Sequence, residues 1–212
     1  MTLKLVDMTE ADTAEFVNVF SSAFAGGPVN RAMLPLGNTP EYLDFLVQRE
    51  LKTFHKRNHW RLAVVDSDTS EFIGVALWSL EDEVALNTTP EPRNLYPKGN
   101  AEAKTAFTGM IRTARHAVMG KERTYWHLNI LATRPGHERK GAGRMLLKWG
   151  TDKADKDGLD TFLDATPVGR TLYEKFGFSV VREQDLDLSP YGVPEVYHSA
   201  SMVRPPQGQQ PT

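Results

Sequence analysis

The chain has 212 residues, 40% hydrophobic and 25% charged, which is enough apolar material for one buried core. A formal net charge of −2 argues against nonspecific binding to nucleic acid or to a membrane surface, and no apolar run reaches membrane-spanning length. The lack of cysteine excludes disulfides, thiolate zinc sites and cysteine nucleophiles, and with no signal-peptide pattern at the start it fits a cytoplasmic or nucleocytoplasmic setting.

Residues 2–6 alternate in polarity and predict a short strand. Thr9 is an N-cap candidate with Asp12 in the capping-box position, and a helix follows to about Phe24 with Phe16, Val19, Phe20 and Phe24 on one face. Gly26-Gly27-Pro28 breaks it. Residues 25–39 predict a loop with a helical turn near Arg31, placed to cover a substrate. Thr39 caps a second helix from Pro40 to about Arg57. Residues 60–65 and 72–80 predict a hairpin around a polar turn. Glu81, Asp82 and Glu83 read as a solvated acidic turn, followed by a polar, proline-rich stretch to Gly99 and a helix over 100–119.

The next stretch carries the chemistry. An apolar strand over 125–132 leads through Thr133-Arg134-Pro135-Gly136 into His137-Glu138-Arg139-Lys140-Gly141-Ala142-Gly143-Arg144 and a helix ending at Asp157-Gly158. Glycines let a backbone approach a ligand closely, and the first turn of a helix offers unpaired N–H groups and partial positive charge. With Arg139, Lys140 and Arg144 beside them, the pattern suits phosphate. It is neither a P-loop, since Arg144-Met145 stands where Lys-Ser or Lys-Thr is needed, nor a dinucleotide fingerprint, whose third glycine is replaced by Leu146. A strand over 159–165, a short helix from Pro167 to about Phe176 and two strands over 178–186 and 194–203 follow. The order predicts an α/β fold, a mixed sheet of about seven strands flanked by helices, in one domain over 1–204, with a disordered Pro- and Gln-rich tail over 205–212.

Arg139-Lys140-Gly141-Ala142-Gly143 before a helix, with Leu172-Tyr173-Glu174-Lys175-Phe176-Gly177-Phe178 after the next strand, resembles the GNAT superfamily of acyl-CoA N-acyltransferases. The first run is similar to the family's pyrophosphate motif and the second to its Tyr-x-x-x-Gly-Phe ending. Leu163-Asp164-Ala165-Thr166-Pro167-x-Gly169-x-x-Leu172-Tyr173 is similar to small fungal and bacterial members. Glu138 departs from the Gln/Arg that opens the first motif.

The resemblance implies a mostly antiparallel sheet with a splayed strand pair holding acyl-CoA. It implies that the backbone of Leu131, Ala132 and Thr133 pairs with the pantetheine arm, and that Arg139, Lys140, Gly141, Ala142, Gly143 and Arg144 hold the pyrophosphate. The reaction it implies is direct attack of an amine on the thioester of acetyl-CoA, with Tyr173 as the acid that protonates the leaving sulfur. His127 is a candidate base, against the plainer reading of a satisfied strand histidine; Glu81 to Glu83, Glu195 and His198 are alternatives, as is a water relay. Trp78 and Trp126 read as core residues or as pocket lining. No metal is expected, because the histidines lack ligand spacing. The expected acceptor is a primary amine of a small molecule or peptide, and a homodimer is compatible with the terminal strands. The competing function is an acyl-CoA-binding regulatory protein with little turnover.

Overall fold

The computed structural model describes residues 2–87 and 95–208. Part of the proline-rich stretch after Glu83 and the last four residues of the expected tail therefore lie outside the described residues. One seven-stranded sheet runs through the fold in the order β1-β2-β3-β4-β5-β7-β6. Its strands are β1 (Leu3–Asp7), β2 (His59–Asp66), β3 (Phe72–Glu81), β4 (Tyr125–Thr133), β5 (Thr161–Ala165), β6 (Ser179–Asp187) and β7 (Val196–Arg204). Neighbours are antiparallel except β4 and β5. The mixed, mostly antiparallel α/β sheet expected from the sequence is thus present.

The helices are α1 (Thr13–Phe24), α2 (Pro28–Met33), α3 (Pro40–Lys52), α4 (Glu83–Asn87), α5 (Ala101–Met119), α6 (Ala142–Asp157) and α7 (Pro167–Glu174). Local signals set their starts. The Thr9 N–H and hydroxyl both donate to the Asp12 carboxylate, at 2.7 and 2.8 Å, in a 3-10 turn that leads into α1. The hydroxyls of Thr39 and Thr166 and the side-chain oxygen of Asn100 accept from the first turns of α3, α7 and α5. The helix expected to reach Arg57 stops at Lys52. Arg61 of β2 donates to the carbonyls of Thr53 and Phe54 and to the Glu50 carboxylate, so the chain turns away with its last carbonyls satisfied.

Two cores cover the sheet. On one face α6 and α7 bury Leu146, Leu147, Ala154 and Tyr173 against Trp78, Trp126, Leu128, Leu163 and Met202. On the other, α1 and α3 bury Phe16, Val17, Val19 and Leu46 against Ala63, Val75 and Ala132. Further along that second face, α5 sets Met119 against Tyr125 and Phe162, and with α2 it packs on the segment joining β6 to β7. Trp78 and Trp126 are core residues, 0% and 3% exposed, rather than pocket lining. Burying both indoles takes several hundred Å² out of water, at roughly 25 cal/mol per Å². Beyond β7, the Gln207 N–H donates to Asp155 at 2.7 Å, so the tail is tied down at that point.

Candidate active site

The site starts from a defect in pairing. β4 and β5 pair only at Trp126–Thr161, His127–Phe162 and Leu128–Leu163. β4 then continues to Thr133 and β5 to Ala165 with no further pairing between them. On its other edge β4 stays paired with β3 as far as Thr133. Every second backbone N–H and C=O beyond Leu128 therefore points into the gap between the two strands, available to an extended ligand. Leu131, Ala132 and Thr133 lie on this stretch.

The β3–β4 register shifts between Leu77 and Trp78, so Asn129 has no partner. The extra residue changes the phase of the strand. Tyr125 and His127 precede it on the α5 face, and Ile130 and Ala132 follow it on that same side of the sheet. Leu128 and Leu131 face α6. Asn129 is left exposed at the point where β4 and β5 part, its amide donating to the Ser79 hydroxyl at 2.7 Å.

Below the gap, the turn expected to bind phosphate leads into α6. Arg139 at φ 60° and Gly141 at φ 104° bend the backbone through the left-handed region just before Ala142. No side chain caps the α6 N-terminus, and the first helical hydrogen bond there runs from the Met145 N–H to the Gly141 carbonyl at 3.1 Å. The N–H groups of Ala142, Gly143 and Arg144 are thus free for an anion. Arg139, Lys140 and Arg144 are exposed beside them, with Arg144 lying over the Phe176 ring. The Glu138 carboxylate accepts from the Gly136 N–H at 2.9 Å, a bond within the loop itself. These residues fit a pyrophosphate.

Tyr173 projects from α7 on the α6 face, edge-on to Phe178. Burial pushes its phenol up to about 12, so it holds its proton at neutral pH. Gly169 makes room for the ring: a Cβ there would lie 2.9 Å from Tyr173 Cε2.

On the α5 face a buried polar group gathers around the same gap. Glu81 ends β3, accepts from Ser79 at 2.7 Å and lies 3.8 Å from Arg115 of α5. Burial raises its carboxyl, but His127, Ser79 and Arg115 together outweigh burial and bring it down to about 2. Arg115 donates to His127 Nδ1 at 3.2 Å. Glu81 Oε1 approaches the same ring nitrogen at 3.6 Å. Burial, opposed by Glu81 and aided by Arg115, holds the imidazole below its ordinary value. Asp164 is the last member. Its Oδ1 accepts from Ser201 at 2.7 Å and from Gln184 at 3.2 Å. Burial, against the pull of Ser201, Arg115 and Gln184, lifts its carboxyl to about 6.

The fold sets Tyr173 and the α6 turn on one face of the sheet and His127 on the other, where it packs on Phe162. Glu195 and His198 are engaged in other pairs: half-exposed Glu195 pairs with Arg31 of α2, and exposed His198 pairs with Asp185 at 2.7 Å. The expected solvated acidic turn needs correction. The Glu81 side chain is 12% exposed and tied into the cluster, while Asp82 takes the Asn58 amide and the Ala85 N–H. Sequence reasoning also passed over Asp164 as a site residue. A charge inside Thr161-Phe162-Leu163-Asp164-Ala165 was the available signal, because a carboxylate is costly in a buried strand. Among the described residues no set of His, Asp and Glu side chains could hold a metal ion, and no helix is long and apolar enough to cross a membrane.

Known proteins share this fold. Residues 87–187 match the acetyltransferase (GNAT) domain. No curated protein sequence matches the chain. A histone acetyltransferase HPA2 and related acetyltransferase from Corynebacterium glutamicum is 22% identical with TM-score 0.65, over 100% of both chains. The Drosophila melanogaster polyamine N-acetyltransferase, which forms N-acetylagmatine, is 13% identical with TM-score 0.70, over 96% of this chain and 100% of that one. The paia N-acetyltransferase from Thermoplasma acidophilum, solved with coenzyme A, is 14% identical with TM-score 0.53, over 97% and 99%. At these identities the structures share the fold.

Proposed function

We propose that this chain, whose residues 87–187 match the acetyltransferase (GNAT) domain, is an acyl-CoA-dependent N-acyltransferase that moves an acetyl group from acetyl-CoA to a primary amine of a small molecule. The observation that carries the reading is the parting of β4 and β5 beyond Leu128–Leu163, directly above the uncapped N-terminus of α6. Acetyl-CoA supplies the acetyl group as a thioester. The free backbone groups of Leu131, Ala132 and Thr133 bind the arm of the cosubstrate. The N–H groups of Gly141 to Arg144, with the side chains of Arg139, Lys140 and Arg144, hold its pyrophosphate. Tyr173 keeps its proton at neutral pH and delivers it to the leaving sulfur, the step that stops the reaction from reversing. That the Drosophila relative acts on a polyamine supports a small amine as acceptor. The cysteine-free composition supports a cytoplasmic setting.

Tyr173→Phe tests the reading. It removes the acid while keeping the ring packing, so CoA affinity stays and kcat falls by about two orders of magnitude with any competent amine. CoA binding without turnover of any amine, polyamine, amino acid or peptide by the wild-type protein would make it an acyl-CoA-binding regulatory protein instead.

A further inference from the structure

We infer that Asp164 is the proton acceptor for the incoming amine. The inference rests on the acetyltransferase reading above and adds the residue that prepares the nucleophile. Asp164 directly follows Leu163, the last residue of β5 paired with β4, and so stands level with Asn129 where the strands part. Its side chain lies on the α5 face, with Ser201 and Gln184, whereas Tyr173 lies on the α6 face. Acid and base thus flank the gap from opposite sides, one toward the sulfur and one toward the acceptor.

The hydrogen bonding leaves one oxygen for a ligand. Ser201 and Gln184 fix Oδ1, and Oδ2 takes no hydrogen bond among the described residues. Gln184 Oε1 is buried and also takes no hydrogen bond among the described residues. An unfilled carboxylate oxygen at the level where the strands part suits an N–H donor, and an ammonium is such a group. The titratable groups that face Asp164 are Arg115 from α5, Tyr125 from β4 and Tyr197 from β7. In the neighbouring cluster Glu81, brought down to about 2, is too weak a base, and Arg115 occupies His127 Nδ1 at 3.2 Å. Asp164, lifted to about 6 by burial, is ionised at neutral pH and basic enough to accept a proton.

The step balances. R–NH3+ gives one proton to Oδ2 and gains a lone pair. The nitrogen attacks the thioester carbon, the C–N bond forms, and the C–S bond breaks with its electron pair on sulfur. Sulfur takes the Tyr173 proton, which the second N–H proton replaces. The products are the amide and CoA–SH, and Asp164 returns its proton to solvent.

The experiment is steady-state kinetics of wild type, Asp164→Asn and Asp164→Glu with acetyl-CoA, using agmatine, spermidine and tryptamine as probe amines. Asp164→Asn keeps an oxygen for Ser201 and is expected to lower kcat about 100-fold, with CoA affinity unchanged. The acidic limb of the wild-type kcat profile should centre near 6 and vanish in this variant. Asp164→Glu should recover part of the rate. With trifluoroethylamine, already unprotonated at neutral pH, the Asn variant should approach the wild-type rate, an outcome that a purely structural role does not give. Turnover that survives Asp164→Asn with its pH profile intact overturns this inference alone; no turnover by the wild type with any probe overturns the transferase reading with it. If the Asn variant fails to fold, a wild-type profile flat between about pH 5 and 7 overturns the inference, and a limb near 6 supports it.

Discussion

The Asn129 side-chain amide donates to the Ser79 hydroxyl at 2.7 Å, tying the unpaired residue of β4 to β3 where β4 leaves β5. Ser79 in turn donates to Glu81 at 2.7 Å, so the bulge and the buried carboxylate share one support. Asn129→Ala removes the tie without emptying a core site. Stability should fall by only about 1 kcal/mol. Activity should fall further, about tenfold or more in kcat/KM, because catalysis depends on how β4 presents its free edge. Thermal unfolding and kinetics measured on the same preparation check this; equal, small effects on both would mean the bulge does not need Asn129.

Gly150 of α6 faces the Trp78 indole so closely that an added Cβ would lie 2.2 Å from Cε2. Trp78 has no room to retreat, being 0% exposed with its indole N–H donating to the Leu146 carbonyl at 3.2 Å. Gly150→Ala gains helix propensity but overpacks the core, and should destabilise by about 3 kcal/mol or more. Urea unfolding followed by tryptophan emission reads the loss. A variant as stable as wild type would show that α6 can slide off the sheet.

The α6 turn makes a separable prediction about the cosubstrate. Arg144→Ala leaves the free N–H groups in place and removes one charge, and should weaken CoA binding about tenfold while flattening its salt dependence. Gly141→Ala forces a Cβ into the left-handed region, costing roughly 1 kcal/mol and tilting the N–H groups. Calorimetric titration with CoA measures both, and unchanged affinities would move the pyrophosphate elsewhere.

Glu81 and Asp164 titrate in opposite senses, which gives stability a distinctive pH dependence. The Glu81 carboxyl is lowered to about 2, so its contribution is present above the unfolded value of 4.5 and is lost as pH falls through about 2. The Asp164 carboxyl is raised to about 6, so its charged form costs stability above 6, and the cost is relieved as pH falls from 6 toward 3.8. Asp164→Asn should therefore raise stability above neutral pH by roughly 1–2 kcal/mol and make no such gain near pH 4. Denaturation curves at the two pH values decide it. A variant less stable than wild type at both would mean that the cluster needs the charge for its structure.

The legible part of this protein was whatever its local chemistry fixes. Alternating apolar residues mark the strands, Thr9, Thr39 and Pro167 mark helix starts, and Gly141 and Gly158 mark where α6 begins and ends. The basic glycine turn and Tyr173-x-x-x-Gly177-Phe178 carry the resemblance to the GNAT superfamily because they are contiguous runs with fixed spacing. The polar cluster on the α5 face is of another kind. Glu81, Arg115, His127, Asp164, Gln184 and Ser201 come from six separate elements, and nothing in any single run says they meet. Only the tertiary structure pairs Ser201 with Asp164, sets Arg115 against His127 and buries Glu81. Burial and neighbours decide whether a carboxylate is a solvated surface charge or a base near neutrality, and both depend on contacts made across the sheet.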